Sequence, residues 1–133
     1  MSLKFYEDAA GDVLVSGLAT IHNGFTGEAD LITVYLKNDD PSKLYRNIEV
    51  QLEIDAQLYT NGWRSKVYLG DDIVSLQEWN ELEETTTIEQ ISDITTVYAL
   101  QFRLFCPAGE ESKVYTSADD FNIKLTAVEF DLD

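Results

Sequence analysis

The segment that most constrains the fold is a strictly alternating run from Asn47 to Asp55. Its apolar positions are Ile48, Val50, Leu52 and Ile54, and its polar positions include Glu49, Gln51 and Glu53. Successive side chains of a β-strand point to opposite faces, so a period of two separates these two sets. We therefore predict a strand over about residues 45–56 that covers a core with one face. Its polar face is expected to be solvated surface rather than an active site.

Further runs rich in β-branched and aromatic residues predict more strands. The longer ones are Ala29 to Lys37, Thr85 to Ile91, Val97 to Cys106 and Phe121 to Leu132, and the shorter ones are Leu3 to Glu7, Val13 to Leu18, Trp63 to Leu69 and Lys113 to Thr116. The run from Ala29 is apolar on both faces, because Ile32, Val34 and Leu36 alternate with Leu31, Thr33 and Tyr35. This pattern indicates an interior strand or one that a partner covers.

Two short motifs predict specific connections. Asn61-Gly62 favours a type I′ turn, which would pair Trp63 to Leu69 antiparallel with the strand that ends near Tyr59. Ser75, with Glu78 three residues later, is a capping box. It predicts one short helix that buries Leu76 and Trp79 on a common face.

Two more features concern the turns and the last strand. Asn38 to Ser42 contains Asn, Asp and Pro, which favour a turn through local hydrogen bonds and a fixed φ. In the last strand the apolar positions change phase from Phe121, Ile123 and Leu125 to Val128, Phe130 and Leu132. A β-bulge near Thr126 and Ala127 would keep both sets on the core face.

Together these elements predict an all-β fold. Seven to nine short strands without alternating helices are typical of an antiparallel β-sandwich with Greek-key or jelly-roll-like connections. No linker, repeat or low-complexity run divides residues 1–133, which predicts a single domain. The lone cysteine, Cys106, lies in an apolar run and is interpreted as a small core residue.

The charge balance excludes several classes of partner. The chain carries 25 Asp and Glu against 9 Lys and Arg, a formal net charge of -16. Such a surface repels phosphate backbones and anionic lipid, so we expect neither nucleic-acid nor membrane binding. The first residues contain no apolar stretch long enough for a signal peptide or a membrane span, which predicts that the protein acts where it is made or leaves the cell by lysis or a leaderless route.

The sequence contains no recognisable catalytic set. The only histidine, His22, lies in a turn-like segment without a nucleophile motif nearby, and we interpret it as a surface loop residue. Zinc-ligand spacing and a phosphate-binding glycine loop are both missing from the sequence. We therefore expect no enzyme activity, no cofactor and no metal. The acidic pairs Asp39-Asp40, Asp71-Asp72 and Asp119-Asp120 leave calcium binding open as an alternative.

Aromatic residues suggest a second class of function. Trp63 and Trp79, with Tyr45, Tyr59 and Tyr68, would suit a platform that stacks on sugar rings. The alternative function is therefore a carbohydrate-binding module, with or without calcium. Tyr and Trp on polar faces suit protein contacts equally well.

Three segments resemble virion structural β-sandwich proteins of tailed bacteriophages: Leu36 to Val50, Ser75 to Leu82 and Ser92 to Gly109. The matching features are Asn38 to Pro41, Tyr45 with Asn47, Glu78-Trp79, Asp93 to Thr96 and Cys106 to Gly109. The resemblance implies a component of the virion, made in the host cytoplasm, that acts by protein-protein assembly. A capsid decoration protein or a neck or tail accessory protein is expected first, and the resemblance leaves capsid decoration, neck, tail and baseplate open.

Such a particle component would contact other virion proteins and copies of itself. Its contacts would centre on apolar, partly aromatic patches. The residues that we expect at these interfaces are Leu31, Tyr35, Trp63 and Tyr68.

Overall fold

The fold consists mostly of β-strands. A computed structural model describes residues 1–17, 19–23, 28–29, 31–105, 114–116 and 121–132. The strands are β1 (Leu3–Tyr6), β2 (Ala19–Asn23), β3 (Glu28–Ala29), β4 (Ile32–Asn38), β5 (Lys43–Ile54), β6 (Arg64–Leu69), β7 (Thr85–Ile91), β8 (Tyr98–Phe105), β9 (Val114–Thr116) and β10 (Phe121–Asp131). The helices are α1 (Ala56–Thr60) and α2 (Leu76–Glu81).

The strands form two sheets. The larger sheet has the order β1-β4-β8-β3-β2-β9, and β6 pairs with β8 as a seventh strand. The smaller sheet has the order β10-β5-β7. Every strand pair is antiparallel. The predicted all-β, antiparallel, sandwich-like class is therefore confirmed.

The alternating run that predicted a strand forms the middle strand of the smaller sheet. On β5 the side chains of Ile48, Val50 and Leu52 are fully buried. They belong to the same core cluster as Leu100 and Phe102, which β8 contributes from the larger sheet. Burial of each such side chain contributes on the order of 1.5–3 kcal/mol, so these two rows dominate the core.

A bulge interrupts the pairing of β5 with β10 at the predicted place. Thr126 pairs with Glu49, but Val128 pairs with Arg46, so the extra residue lies in β5 and not in β10. Asn47 has a φ of 52°, and asparagine tolerates this left-handed conformation better than most residues. Since β10 has no extra residue, its side-chain alternation continues unchanged. The prediction that Val128 and Phe130 rejoin the core face is wrong, and both are exposed.

The predicted hairpin at Asn61-Gly62 is also wrong. The side chain of Asp55 accepts a hydrogen bond from the Gln57 N–H at 3.1 Å and caps α1, which was not predicted. Gly62, with a φ of 102°, follows this helix instead of closing a two-residue turn. The helical turn carries the chain to the other sheet, where β6 pairs with β8.

The predicted helix α2 is confirmed, and it is one of two short helices in the described chain. The Ser75 hydroxyl accepts a hydrogen bond from the Glu78 N–H at 3.3 Å, as the capping box predicts. Trp79 is buried, but Leu76 is 44% exposed, so the prediction of a shared buried face is wrong. Trp79 is the one buried residue of this six-residue helix.

Several shorter predictions need correction. The run from Val13 forms only an isolated bridge between Leu14 and Tyr6 rather than a strand. The run from Ala29 is divided between β3 and β4. His22 lies in β2, where its backbone pairs with Ala29, and not in a loop. The predictions for Cys106 and for Asp119-Asp120 fall outside the described residues.

Candidate functional site

The outward face of β4 contributes to a groove on the larger sheet. The strand buries Ile32, Val34 and Leu36 in the core, so the residues between them point away from it. We call this depression of about 290 Å³ the outer groove. It is lined by Leu31, Thr33, Tyr35, Asp71, Asp72, Ile73, Val74, Trp79, Gln101 and Arg103.

One wall of the outer groove is a loop, residues 70–74, that Gln101 holds in place. The Gln101 side-chain amide donates to the carbonyl oxygens of Gly70 at 2.7 Å and Asp72 at 3.0 Å. Gly70 has a φ of 142°, and a Cβ there would lie 2.9 Å from a ring carbon of Tyr68. Because a buried amide and a required glycine position this loop, the wall is a built feature of the fold.

The floor of the outer groove combines an aromatic ring with a cation. Trp79 is 1% exposed, and the Arg103 guanidinium carbon lies 5.4 Å from its ring centre. The Arg103 Nε is buried and has no hydrogen-bond partner among the described residues. A charged donor without a hydrogen-bond partner among the described residues therefore lies buried at the floor of the outer groove.

The rim of the outer groove is acidic and carries one projecting apolar side chain. Ile73 is 100% exposed, and it follows the exposed carboxylates of Asp71 and Asp72. The Tyr68 hydroxyl donates to the Asp72 carboxylate at 3.3 Å. Partial burial, together with the negative charge of Asp72, raises the pKa of Tyr68. The rim thus offers an apolar knob beside negative charge.

The structure brings three of the four predicted interface residues to this region. Leu31 and Tyr35 line the outer groove, and Tyr68 adjoins it through Asp72. Trp63 is fully buried inside the chain, so its prediction as a surface contact is wrong. Tryptophan has a large apolar area, and here that area packs in the core cluster.

Sequence reasoning missed four of the residues that line the outer groove: Ile73, Val74, Gln101 and Arg103. Gln101 and Arg103 occupy alternate positions of β8, and their role depends on the loop that crosses over them. Ile73 and Val74 carried a readable signal, since an apolar pair directly after Asp71-Asp72 interrupts a turn-like acidic segment. An apolar pair in a loop either packs beneath the loop or projects from it into solvent. The backbone conformation of the loop decides between these two orientations.

The aromatic platform expected for sugar binding is not formed. Trp63, Trp79 and Tyr45 are buried. Tyr59 is exposed, but the Arg64 guanidinium carbon lies 3.8 Å from its ring centre and covers that face. These positions leave no shared exposed plane for a sugar ring.

The acidic turn after β4 has a structural role. The Asp40 carboxylate accepts hydrogen bonds from the Ser42 hydroxyl at 2.7 Å and the Ser42 N–H at 2.9 Å, and these bonds lower the pKa of Asp40. The Tyr6 hydroxyl donates a hydrogen bond to the Asp39 carboxylate. Burial and this hydrogen bond raise the pKa of Tyr6 to about 12.

Within the described residues, no group of three or more His, Cys, Asp or Glu side chains is arranged to hold a metal ion. In the same part of the chain, no helix has the length and apolar character needed to cross a membrane.

A second groove, of about 370 Å³, lies where β1 and residues 14–17 approach the start of β10. Its described lining includes Phe5, Val15 and Ile123, and Lys4 is the only ionisable side chain among those residues. It has fewer polar groups to select a ligand than the outer groove has.

Comparison with known proteins adds no assignment. No protein-family model matches the chain, and no curated protein is significantly similar to it.

Proposed function

We propose that this protein is a structural component of a bacteriophage particle, either a capsid decoration protein or a neck or tail accessory protein. It acts by binding other virion proteins, and the outer groove is the surface that it uses. It also contacts copies of itself in the particle.

The observation that carries this proposal is the combination of the outer groove with Ile73. A completely exposed isoleucine beside a groove with Leu31, Tyr35 and Trp79 has the composition of an interface centre, apolar and aromatic with polar groups at its rim. Arg103 adds a buried donor, and arginine is enriched at the energetically important positions of interfaces.

The proposal that the partner is a bacteriophage particle is supported by the sequence resemblance in three segments: Leu36 to Val50, Ser75 to Leu82 and Ser92 to Gly109. Two of these segments supply parts of the outer groove, since Trp79 comes from the second and Gln101 and Arg103 from the third. The net charge of -16 favours a partner surface with basic residues that face Asp71 and Asp72.

The first test is mass spectrometry of particles purified from the source. The proposal predicts this protein as a stoichiometric component that remains after high-salt washing. Its absence from every particle fraction would overturn the proposal.

The second test locates the contact. Ile73→Asp places a charge on the projecting side chain and should reduce incorporation into particles by roughly 30-fold or more, the loss expected at an interface hot spot. Ile94→Asp is the matched control, because Ile94 is exposed and does not line the outer groove. Equal incorporation of both variants would exclude the outer groove as the contact surface.

A further inference from the structure

A second apolar surface lies on the smaller sheet. Val128, Phe130 and Leu132 are 46%, 44% and 42% exposed and occupy alternate positions at the end of the chain. These side chains point away from the core because β10 keeps its alternation past the bulge, whose extra residue lies in its partner strand β5. We call these three residues, together with the outer edge of β10, the β10 margin.

The edge of β10 is unpaired within the described part of the chain. This strand runs over 11 residues and pairs there with β5 alone. The edges of β1 and β6 are met by backbone, since Val15 donates to Phe5 of β1 and Val67 of β6 donates to Glu83. An unpaired strand edge presents free N–H and C=O groups to any strand that can align with it.

The second half of β10 lacks several of the features that usually block such pairing, and its one inward-pointing charge, Glu129, is hydrogen-bonded within the chain. Proline, lysine and bulges protect most strand edges, but residues 125–130 contain no proline or lysine, and the extra residue of the bulge belongs to β5. Glu129 is the only charged side chain in this stretch, and it accepts a hydrogen bond from the Tyr45 hydroxyl on the core side.

The charge of the β10 margin is balanced, in contrast to the chain as a whole. Lys43 forms an ion pair with Asp131, and the Arg46 guanidinium carbon lies 5.5 Å from the ring centre of Phe130. Among the described side chains of this region, Lys43 and Arg46 supply two cations, and Glu129 and Asp131 supply two carboxylates. Two copies of a chain with a net charge of -16 repel each other over most surfaces, but these described side chains add no net charge to the contact.

We propose that the β10 margin is a self-association surface whose occupant is a second copy of this chain. The two β10 strands pair antiparallel across a two-fold axis, so two three-stranded sheets become one continuous sheet. The exposed rows around Phe130 of both copies then lie on the same side of that sheet. This inference deepens the proposed function, on which it rests for its setting in a particle, by naming the surface for contacts between copies.

The experiment is sedimentation equilibrium of the purified full chain alone, over a wide range of concentration. The wild type should show a reversible monomer–dimer equilibrium, and Phe130→Glu should raise the dimer Kd by roughly 30-fold or more. Hydrogen exchange of residues 125–131 should be slower at concentrations where the dimer forms. Circular dichroism spectra and Tm establish that the variant is folded, and Val128→Lys provides a second, milder disruption of the same surface.

Leu76→Glu is the control, since it introduces the same charge at an exposed apolar position of α2 that belongs neither to the lining of the outer groove nor to the β10 margin. It should leave the dimer Kd unchanged. A wild type that stays monomeric at the highest concentration would overturn the proposal, as would a dimer that Phe130→Glu does not weaken or that leaves hydrogen exchange in β10 unaltered. These outcomes concern the purified protein, so they are distinguishable from failure to find it in particles.

Discussion

Strands β4 and β5 are consecutive in the chain, yet their outward faces differ. Both bury an alternating apolar row, Val34 and Leu36 in β4 and Val50 and Leu52 in β5. The outward face of β5 carries Glu49, Gln51 and Glu53 and has no covering segment among the described elements. The outward face of β4 carries Leu31 and Tyr35 and lies beside the loop 70–74 and Trp79.

The difference shows how an amphipathic pattern decides whether a sheet face needs cover. A polar outward row is stable in water, whereas an apolar one stays costly until another element packs on it. Residues 70–74 and Trp79 cover the outward face of the larger sheet only in part, and the part left open is the outer groove. The comparison predicts that substitutions on the covered face of β4 act like core substitutions, while those on the outward face of β5 act like surface substitutions.

The largest effect is expected at the cover itself. Trp79→Ala removes a nearly fully buried ring from the outer face of the larger sheet and should lower the free energy of unfolding by about 3–5 kcal/mol. Urea denaturation monitored by circular dichroism measures this loss. A cost below about 1 kcal/mol would mean that the cover is not an integral part of the packed structure.

The next effect compares the two faces of β5 directly. Leu52→Ala creates a cavity in the core and should cost about 2–5 kcal/mol. Glu49→Ala, on the exposed face of the same strand, should change stability by no more than about 0.5 kcal/mol. Both values come from the same denaturation experiment. Equal costs would contradict the assignment of one buried and one solvated face.

A smaller effect is expected where Gln101 anchors the wall of the outer groove. Gln101→Leu keeps the size of the side chain but removes the donors to the carbonyls of Gly70 and Asp72, at a cost of about 1–3 kcal/mol. Hydrogen exchange in residues 70–74 should become faster in this variant. Gln77→Leu, at an exposed position of α2, is the control and should alter neither quantity.

The smallest effect concerns the contact beside the turn between β4 and β5. The pKa of Tyr6 is raised to about 12, so the folded state holds this proton more tightly than the unfolded chain does. Its contribution to stability is complete below the ordinary tyrosine pKa of about 10 and is lost as the pH rises through about 12. Tyr6→Phe should cost about 0.5–1.5 kcal/mol at neutral pH.

The same variant should also lessen the fall in stability between about pH 10 and pH 12. Thermal denaturation at a series of pH values checks both expectations. Some alkaline slope should remain, because burial and Glu129 also raise the pKa of Tyr45. An unchanged slope would show that the Tyr6–Asp39 hydrogen bond does not couple stability to pH.

Local signals predicted most of the regular elements. The alternation in β5 and the branched residues of β7 gave their positions closely, and the capping box at Ser75 gave the start of α2. The Asn61-Gly62 signal failed because Asp55 caps a helical turn just before it. At that connection a preference for a tight turn at Asn61-Gly62 competed with a preference for a helical turn capped by Asp55. The pairing of β6 with β8 agrees with the helical turn.

The candidate site was less predictable than the fold. Leu31 and Tyr35 were found because they break the rule of one apolar face on a strand. Arg103 and Gln101 gave no comparable signal, since polar residues at alternate positions of a strand usually point to water. Only the crossing of residues 70–74 over β8 gives them a groove to line.

Residue order therefore determined which face of each strand is apolar, because side-chain alternation is a local property of extended backbone. It also determined the net charge of -16, on which the prediction against polyanionic partners rests. The tertiary structure decided which apolar faces are covered. It buried Trp63 in the core, left Ile73 projecting from a loop, and put the extra residue of the bulge in β5, so that Val128 and Phe130 stay on the outward face of β10. Those outcomes depend on which strands meet across the two sheets. The free energy of that packing is a sum of contacts between residues far apart in the chain, so no local pattern contains it.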